Sequence, residues 1–120
     1  MQRFHRFNPP EDGASPEQVR FLDLQVEPWP DGRRIKVLMS ITPFLQPPNL
    51  MMVMTDAEGT EVSRTSIVEN IDYQLVFTMH IRSQKVAGQY KLTASINYDD
   101  LGVVDERQVE FESYETDAEE

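Results

Sequence analysis

The chain has 120 residues, of which 39% are hydrophobic, and a formal net charge of −10 at pH 7. This length fits one domain with a core of its own. The absence of cysteine excludes disulfides, thiolate catalysis and thiolate metal sites. The negative charge argues against a nucleic-acid partner, because an acidic surface cannot release counterions from phosphates.

The first 18 residues show no pattern of regular structure. The stretch "NPPEDGASPEQ" combines prolines, a glycine and mixed charges, which predicts a flexible N-terminal arm over residues 1–18. Within it, "RFHRF" places Phe4 and Phe7 among basic residues. This cluster either contacts an anionic partner or folds back on its own domain.

No run of 18 apolar residues occurs, and the beginning "MQRFHRFNPPEDG" lacks the apolar stretch of a secretory signal. We therefore expect no membrane insertion and a cytoplasmic location.

From Val19 onward, apolar and polar residues alternate with a period of two, which is typical of half-buried strands. Turn residues separate seven such segments, and "DAEG" predicts a hairpin turn at Gly59. The residues predicted to face the core are, in chain order, Leu22, Leu24, Val26, Ile35, Val37, Met39, Ile41, Leu50, Met52, Met54, Tyr73, Leu75, Phe77, Met79, Ile81, Tyr90, Leu92, Ala94, Ile96, Tyr98, Val109 and Phe111.

No segment has a sustained helical period with caps at both ends, so the sequence predicts an all-β domain over residues 19–112. Seven short antiparallel strands favour a two-sheet sandwich, with a small barrel as the alternative. Residues 110 to 120 hold six carboxylates and no Lys or Arg. We expect residues 113–120 to form an acidic disordered tail, which either keeps the chain soluble or docks on a basic partner.

The segment "AGQYKL" resembles the tyrosine corner of immunoglobulin-like domains, with Gly88 at the turn and Tyr90 in the tyrosine position. The chain has no cysteine, and its one tryptophan, Trp29, lies in the loop "EPWPDG", so an antibody-type core is excluded. What remains is similar to the cysteine-free immunoglobulin-like sandwiches common in bacterial proteins. The resemblance implies a seven-stranded antiparallel immunoglobulin-like β-sandwich in which the Tyr90 hydroxyl bonds to upstream backbone.

Catalysis and cofactor binding find little support among the side chains. His5 and His80 are the only histidines, and no nucleophile elbow, phosphate-binding glycine loop or metal-binding histidine pair occurs. We therefore expect no enzyme activity and no cofactor.

The loop "NYDDLGVVDE" could offer calcium four carboxylates. However, its spacing does not match a calcium-binding loop, so a metal site is not predicted. These weak candidates are Asp99, Asp100, Asp105 and Glu106.

The stretch "PFLQPPNLMMVM" indicates a partner surface. If alternate residues of its strand face the core, Met51 and Val53 point outward, where a sandwich strand usually carries polar side chains. Phe44 and Leu45 add apolar area in the preceding loop, although the arm or the loop itself could cover this face instead.

We therefore predict a non-catalytic protein-interaction or assembly module, whose partner is another protein or a second copy of the chain. The alternatives are a carbohydrate- or calcium-binding sandwich, and a structural spacer within a larger surface protein.

Overall fold

The computed structural model describes residues 7–82 and 88–113. After a short 3₁₀ turn at Pro16–Gln18, these residues form seven strands: β1 (Phe21–Pro28), β2 (Arg34–Ile41), β3 (Asn49–Asp56), β4 (Glu61–Ile67), β5 (Gln74–His80), β6 (Gly88–Tyr98) and β7 (Gly102–Ser113). Within these residues, no helix is long and apolar enough to cross a membrane.

The strands form two antiparallel sheets, one in the order β1-β2-β5 and one in the order β4-β3-β6-β7. The all-β sandwich predicted from the sequence is confirmed. The chain crosses between the sheets after β2, after β4 and again after β5, so neither sheet is built from consecutive strands alone. As a result, β5 forms one edge of the three-stranded sheet, and β4 forms one edge of the four-stranded sheet.

The core lies between the sheets, where the inward side chains of the two sheets meet. Alternation predicted this face correctly in the three strands that lie inside the sheets. Their buried residues are Ile35, Val37, Met39 and Ile41 on β2, Leu50, Met52 and Met54 on β3, and Tyr90, Leu92, Ala94, Ile96 and Tyr98 on β6.

The predicted inward position of Leu22 is wrong. The register between β1 and β2 shifts between Phe21 and Asp23, and this bulge reverses the facing of the residues before it. Phe21 is buried in the core, whereas Leu22 is 60% exposed. A bulge inserts one unpaired residue, so a strict period of two fails on one side of it.

Part of the predicted arm packs on the sandwich. Ala14 makes a parallel bridge with Phe44, where its N–H donates to the Pro43 carbonyl at 2.8 Å and its carbonyl accepts from the Leu45 N–H at 3.0 Å. A Cβ on Gly13 would lie 3.0 Å from the carbonyl carbon of Phe44, so this close approach requires glycine. These contacts attach the arm to the sandwich at Ala14, while the flexibility expected of residues 1–18 stays a prediction.

The ends of the chain are only partly described. Ser113, assigned from the sequence to the acidic tail, ends β7 as a buried residue, and its hydroxyl donates to the Gly32 carbonyl at 3.1 Å. The rest of the predicted tail, and the cluster residues Phe4 and His5, lie outside the described residues.

A polar contact joins the two sheets where β1 and β7 run side by side. The Phe21 N–H donates to Oδ2 of Asp105 at 2.8 Å, and the Phe21 carbonyl accepts from the Arg107 guanidinium at 2.8 Å. Asp105 and Arg107 pair with the inward residues Ile96 and Ala94 of β6, so both point toward the opposite sheet. We call this arrangement the β1–β7 clasp. Because β1 and β7 are edge strands of different sheets, they do not pair through their backbones. Two charged side chains connect them instead.

Replacing one member of the clasp should destabilise the fold. We expect Asp105→Ala to lower the free energy of unfolding by about 1 to 3 kcal/mol, because the Phe21 N–H loses its acceptor in a partly buried place. Glu106→Ala is the matched control, since the neighbouring carboxylate is exposed and should change stability by less than about 0.5 kcal/mol. Urea unfolding of both variants measures the difference, and equal effects would disprove the clasp.

Candidate functional site

Two apolar side chains lie at the centre of the outer face of the four-stranded sheet. Met51 and Val53 are both half-buried and alternate with the core residues of β3, as the sequence predicts. We call these two residues the outer patch. Their neighbours are small or polar: Ser66 and Arg64 on β4, and Ser95 and Thr93 on β6. The face therefore has an apolar centre with a polar surround, which is the composition of many protein interfaces.

Arg64 partly covers the outer patch from within the domain. Its Nη1 lies 3.0 Å from the Met51 sulfur, while its Nε and Nη2 donate to the two carboxylate oxygens of Glu61 at 3.0 and 2.8 Å. The hydrogen bond from Arg64 lowers the pKa of Glu61. This two-point contact fixes the plane of the guanidinium beside Met51.

Arg64 is not among the site residues predicted from the sequence. The hairpin turn "DAEG" places Arg64 directly opposite Val53, so the pairing across that hairpin was the available signal. This pairing can be deduced only if the bulge between Met54 and Thr55 is known. The alternation of apolar and polar residues does not reveal that bulge.

The two loop residues predicted for the partner surface have different environments. Phe44 is fully buried, with its ring 5.2 Å from that of Phe7 and 4.8 Å from that of Tyr73. It belongs to the core and offers no side-chain area to a partner. Leu45 is exposed and remains accessible.

Gly88 and Tyr90, the two residues of the predicted corner, lie at the start of β6. Gly88 has a φ of +138°, which favours glycine. Tyr90 is buried and stacks on Phe111 with ring centroids 5.6 Å apart. The bond expected between the Tyr90 hydroxyl and the preceding turn concerns residues 83–87, which lie outside the described residues, so it stays a prediction.

A second tyrosine lies at the opposite end of β6. The Tyr98 hydroxyl donates to the Gln46 carbonyl at 2.8 Å and so anchors the loop that leads into β3. Burial raises the pKa of Tyr98 to about 12, since ionisation would place a charge in a poorly solvated position.

This raised pKa predicts an alkaline loss of stability. The folded-state pKa exceeds the ordinary value of 10.0, so the stabilising contribution is complete below about pH 10 and is lost as the pH rises toward 12. Tyr98→Phe should cost about 1 to 2 kcal/mol at neutral pH, through the lost hydrogen bond.

An alkaline titration followed by phenolate absorbance measures the effect in the folded protein. Tyr98→Phe should remove the component that ionises near pH 12. Survival of that component in Tyr98→Phe would contradict the assignment.

The acidic candidates for calcium do not converge. Oδ1 of Asp99 accepts from the Asn49 side-chain amide at 3.0 Å, Asp105 belongs to the β1–β7 clasp, and Asp100 and Glu106 are exposed. Over residues 7–82 and 88–113, no group of three or more His, Asp or Glu side chains could hold a metal ion. His80 lies exposed at the end of β5, and His5 lies outside the described residues.

Comparison with known proteins shows a likeness in fold. No family model and no curated protein match the chain. Among solved structures, it is similar to a β-glucuronidase of Bifidobacterium dentium complexed with coumarin-3-O-glucuronide, at a TM-score of 0.61 and 14% identity. It is also similar to a glycosyl hydrolase family 2 member of Bacteroides cellulosilyticus, at 0.55 and 12%, and to a β-glucuronidase of Ruminococcus gnavus complexed with D-glucuronic acid, at 0.53 and 18%.

The coverage of these matches is uneven. They cover 78%, 78% and 79% of this chain but 18%, 15% and 16% of the respective glycosidase chains. The sandwich therefore corresponds to a small part of each of those longer proteins. At these identities the likeness shows the fold alone.

Proposed function

We propose that the chain is a non-catalytic interaction module of immunoglobulin-like fold, which binds a protein partner through the outer patch. The outer patch is the observation that carries this proposal: two apolar side chains at the centre of a sheet face, on the side away from the core.

The immunoglobulin-like assignment rests on strand number, strand crossing and the position of Tyr90. Seven antiparallel strands in two sheets, with a buried tyrosine near the start of the sixth, match that architecture. In the constant-type arrangement the fourth strand joins the sheet of the first, second and fifth strands. Here β4 pairs with β3 instead, so the fold is a variant in which the fourth strand has changed sheets.

The non-catalytic role is supported by how the polar residues are distributed. The carboxylates of the β6–β7 turn are dispersed or bonded to the scaffold, and His80 lies apart from them, exposed at the end of β5. General acid–base chemistry needs such groups to converge on one substrate atom. Modules of this kind act through their surfaces instead.

The module role is supported by scale. The solved glycosidases use a comparable sandwich for less than a fifth of their length, which is the usage expected of an accessory domain. A domain of this kind presents surfaces to neighbouring chains or domains.

Charging the outer patch should weaken partner binding and leave the fold intact. In Met51→Lys/Val53→Lys, both changes lie outside the core, so the free energy of unfolding should change by no more than about 1 kcal/mol. Affinity for the protein partner should fall at least about tenfold, because an unpaired charge buried at an interface is costly.

The measurement is capture of partners by the immobilised full chain from cells that express it, followed by titration of the recovered protein. The control Leu22→Lys/Val68→Lys adds the same charge at two exposed apolar residues outside this face and should leave binding unchanged. A folded Met51→Lys/Val53→Lys variant that binds like the parent would refute the proposal.

A further inference from the structure

The edges of the two sheets differ in how they are protected. On one side of the sandwich, the β1–β7 clasp occupies backbone groups of β1. On the other side, the Arg82 N–H donates to the Val62 carbonyl of the β4 edge at 2.9 Å. The β5 edge, with the sequence "QLVFTMH", has no proline, no lysine and no register shift against β2. Native proteins usually protect an edge strand with such devices.

The backbone of β5 offers a regular set of outward hydrogen-bonding groups. The Ile41 N–H donates to the Tyr73 carbonyl, and the Ile81 N–H donates to the Arg33 carbonyl, at the two ends of the β2–β5 ladder. Because these groups alternate in an antiparallel ladder, those of every second residue point away from β2. The residues concerned are Gln74, Val76, Thr78 and His80.

A shallow groove with a mixed polar and apolar lining runs beside this edge, between β4 and β5. It has a volume of about 470 Å³, and Ile67, Leu75 and Phe77 are among the residues that line it. All three are only half-buried, although they face the interior. Above the groove, the outward side chain of Val76 is 65% exposed. A strand added to β5 would cover these apolar groups and satisfy the backbone.

We propose that this strand is β5 of a second copy of the chain, paired antiparallel about a two-fold axis at Val76. The inference goes beyond the proposed function by naming a second contact surface and its partner. Pairing would join the two three-stranded sheets into one continuous sheet.

Complementarity on the outer face favours the second copy as the occupant. With Val76 opposite Val76 of the second copy, Gln74 lies opposite Thr78. The side chain of His80 then comes near that of Asp72, which precedes β5 and whose backbone N–H and carbonyl bond to the Asn70 side chain. An apolar pair thus occupies the centre, a hydrogen-bonding pair flanks it, and an acid lies near an imidazole at each end. Cross-strand pairs of these kinds stabilise sheets.

The inner face fits the same register. Leu75 lies opposite Phe77 of the second copy, so the two grooves would close over apolar pairs from both chains. Moving the axis by one residue would place Val76 opposite Thr78 and Gln74 opposite His80, which removes the match on the outer face. Since a change of register alters every pair at once, the sequence of β5 selects one arrangement.

The test is the self-association of the full chain, measured by analytical ultracentrifugation over a range of concentrations. Val76→Lys places two ammonium groups opposite each other at the axis and should weaken dimerisation at least about tenfold. The matched control is Val103→Lys, because Val103 is 60% exposed but lies on β7 of the other sheet, so it should dimerise like the parent.

A charge exchange tests the register itself. Asp72→Lys should weaken the dimer, and Asp72→Lys/His80→Glu should restore it, because the acid and the base then exchange places across the axis. A double variant no better than the single one would overturn this register. If the β5 edge instead binds an extended segment of a different protein, the parent should be monomeric at every concentration. That result would also overturn the inference.

The outcome can be separated from that of the proposed function. Met51→Lys/Val53→Lys should dimerise normally, since the outer patch lies on the other sheet. If that variant loses dimerisation and Val76→Lys does not, the outer patch is the self-contact, and only the β5 inference fails. If the parent is monomeric but still binds a partner through the outer patch, the β5 inference again fails and the proposed function stands.

Discussion

The packing of the two inner sheet faces is the interaction on which the rest of the molecule depends, because the chain has no cysteine to join the sheets covalently. Each interior strand contributes every second side chain to this contact, and four methionines are among the buried residues: Met39, Met52, Met54 and Met79. An unbranched thioether fits irregular spaces between sheets better than a branched side chain does. Core packing constrains the inward side chains but not the outward ones. The outward residues can therefore be polar on one strand and apolar on another, as they are in the outer patch.

The two sides of the sandwich are closed in different ways. On the β1–β7 side, an aspartate and an arginine of the sheet edge turn inward and bind both backbone groups of Phe21, so polar side chains fill the gap between the sheets. On the β4–β5 side, half-buried apolar side chains share the lining of the gap with polar ones, and a backbone hydrogen bond between Arg82 and Val62 crosses it. Apolar area that is half-covered in the single chain gains most from a second chain. This asymmetry is the physical reason to place self-association at β5 rather than at β1.

Alternation along the chain predicted the fold and the outward direction of Met51 and Val53, because side-chain direction within a regular strand is a local property. The failures occur where direction depends on distant residues. Leu22 points outward because of a bulge set by pairing with β2. Phe44 is buried because its ring packs against Phe7 and Tyr73, which lie far from it along the chain. The Arg64 contact with Met51 likewise needs a hairpin register that includes a bulge. Such long-range contacts leave no periodic signal in the sequence.

The two proposed contacts lie on different sheets, and this separation has a geometric consequence. In a dimer paired through β5, the two-fold axis runs perpendicular to the joined sheet. Both four-stranded sheets therefore lie on the same side of the joined sheet. The two outer patches would then face the same direction. A partner with two suitably spaced sites could engage both patches at once, and the second contact would form at a high effective concentration. Two half-buried side chains per chain make a small interface centre, so doubling it through β5 is a physical route from a weak contact to a stable assembly.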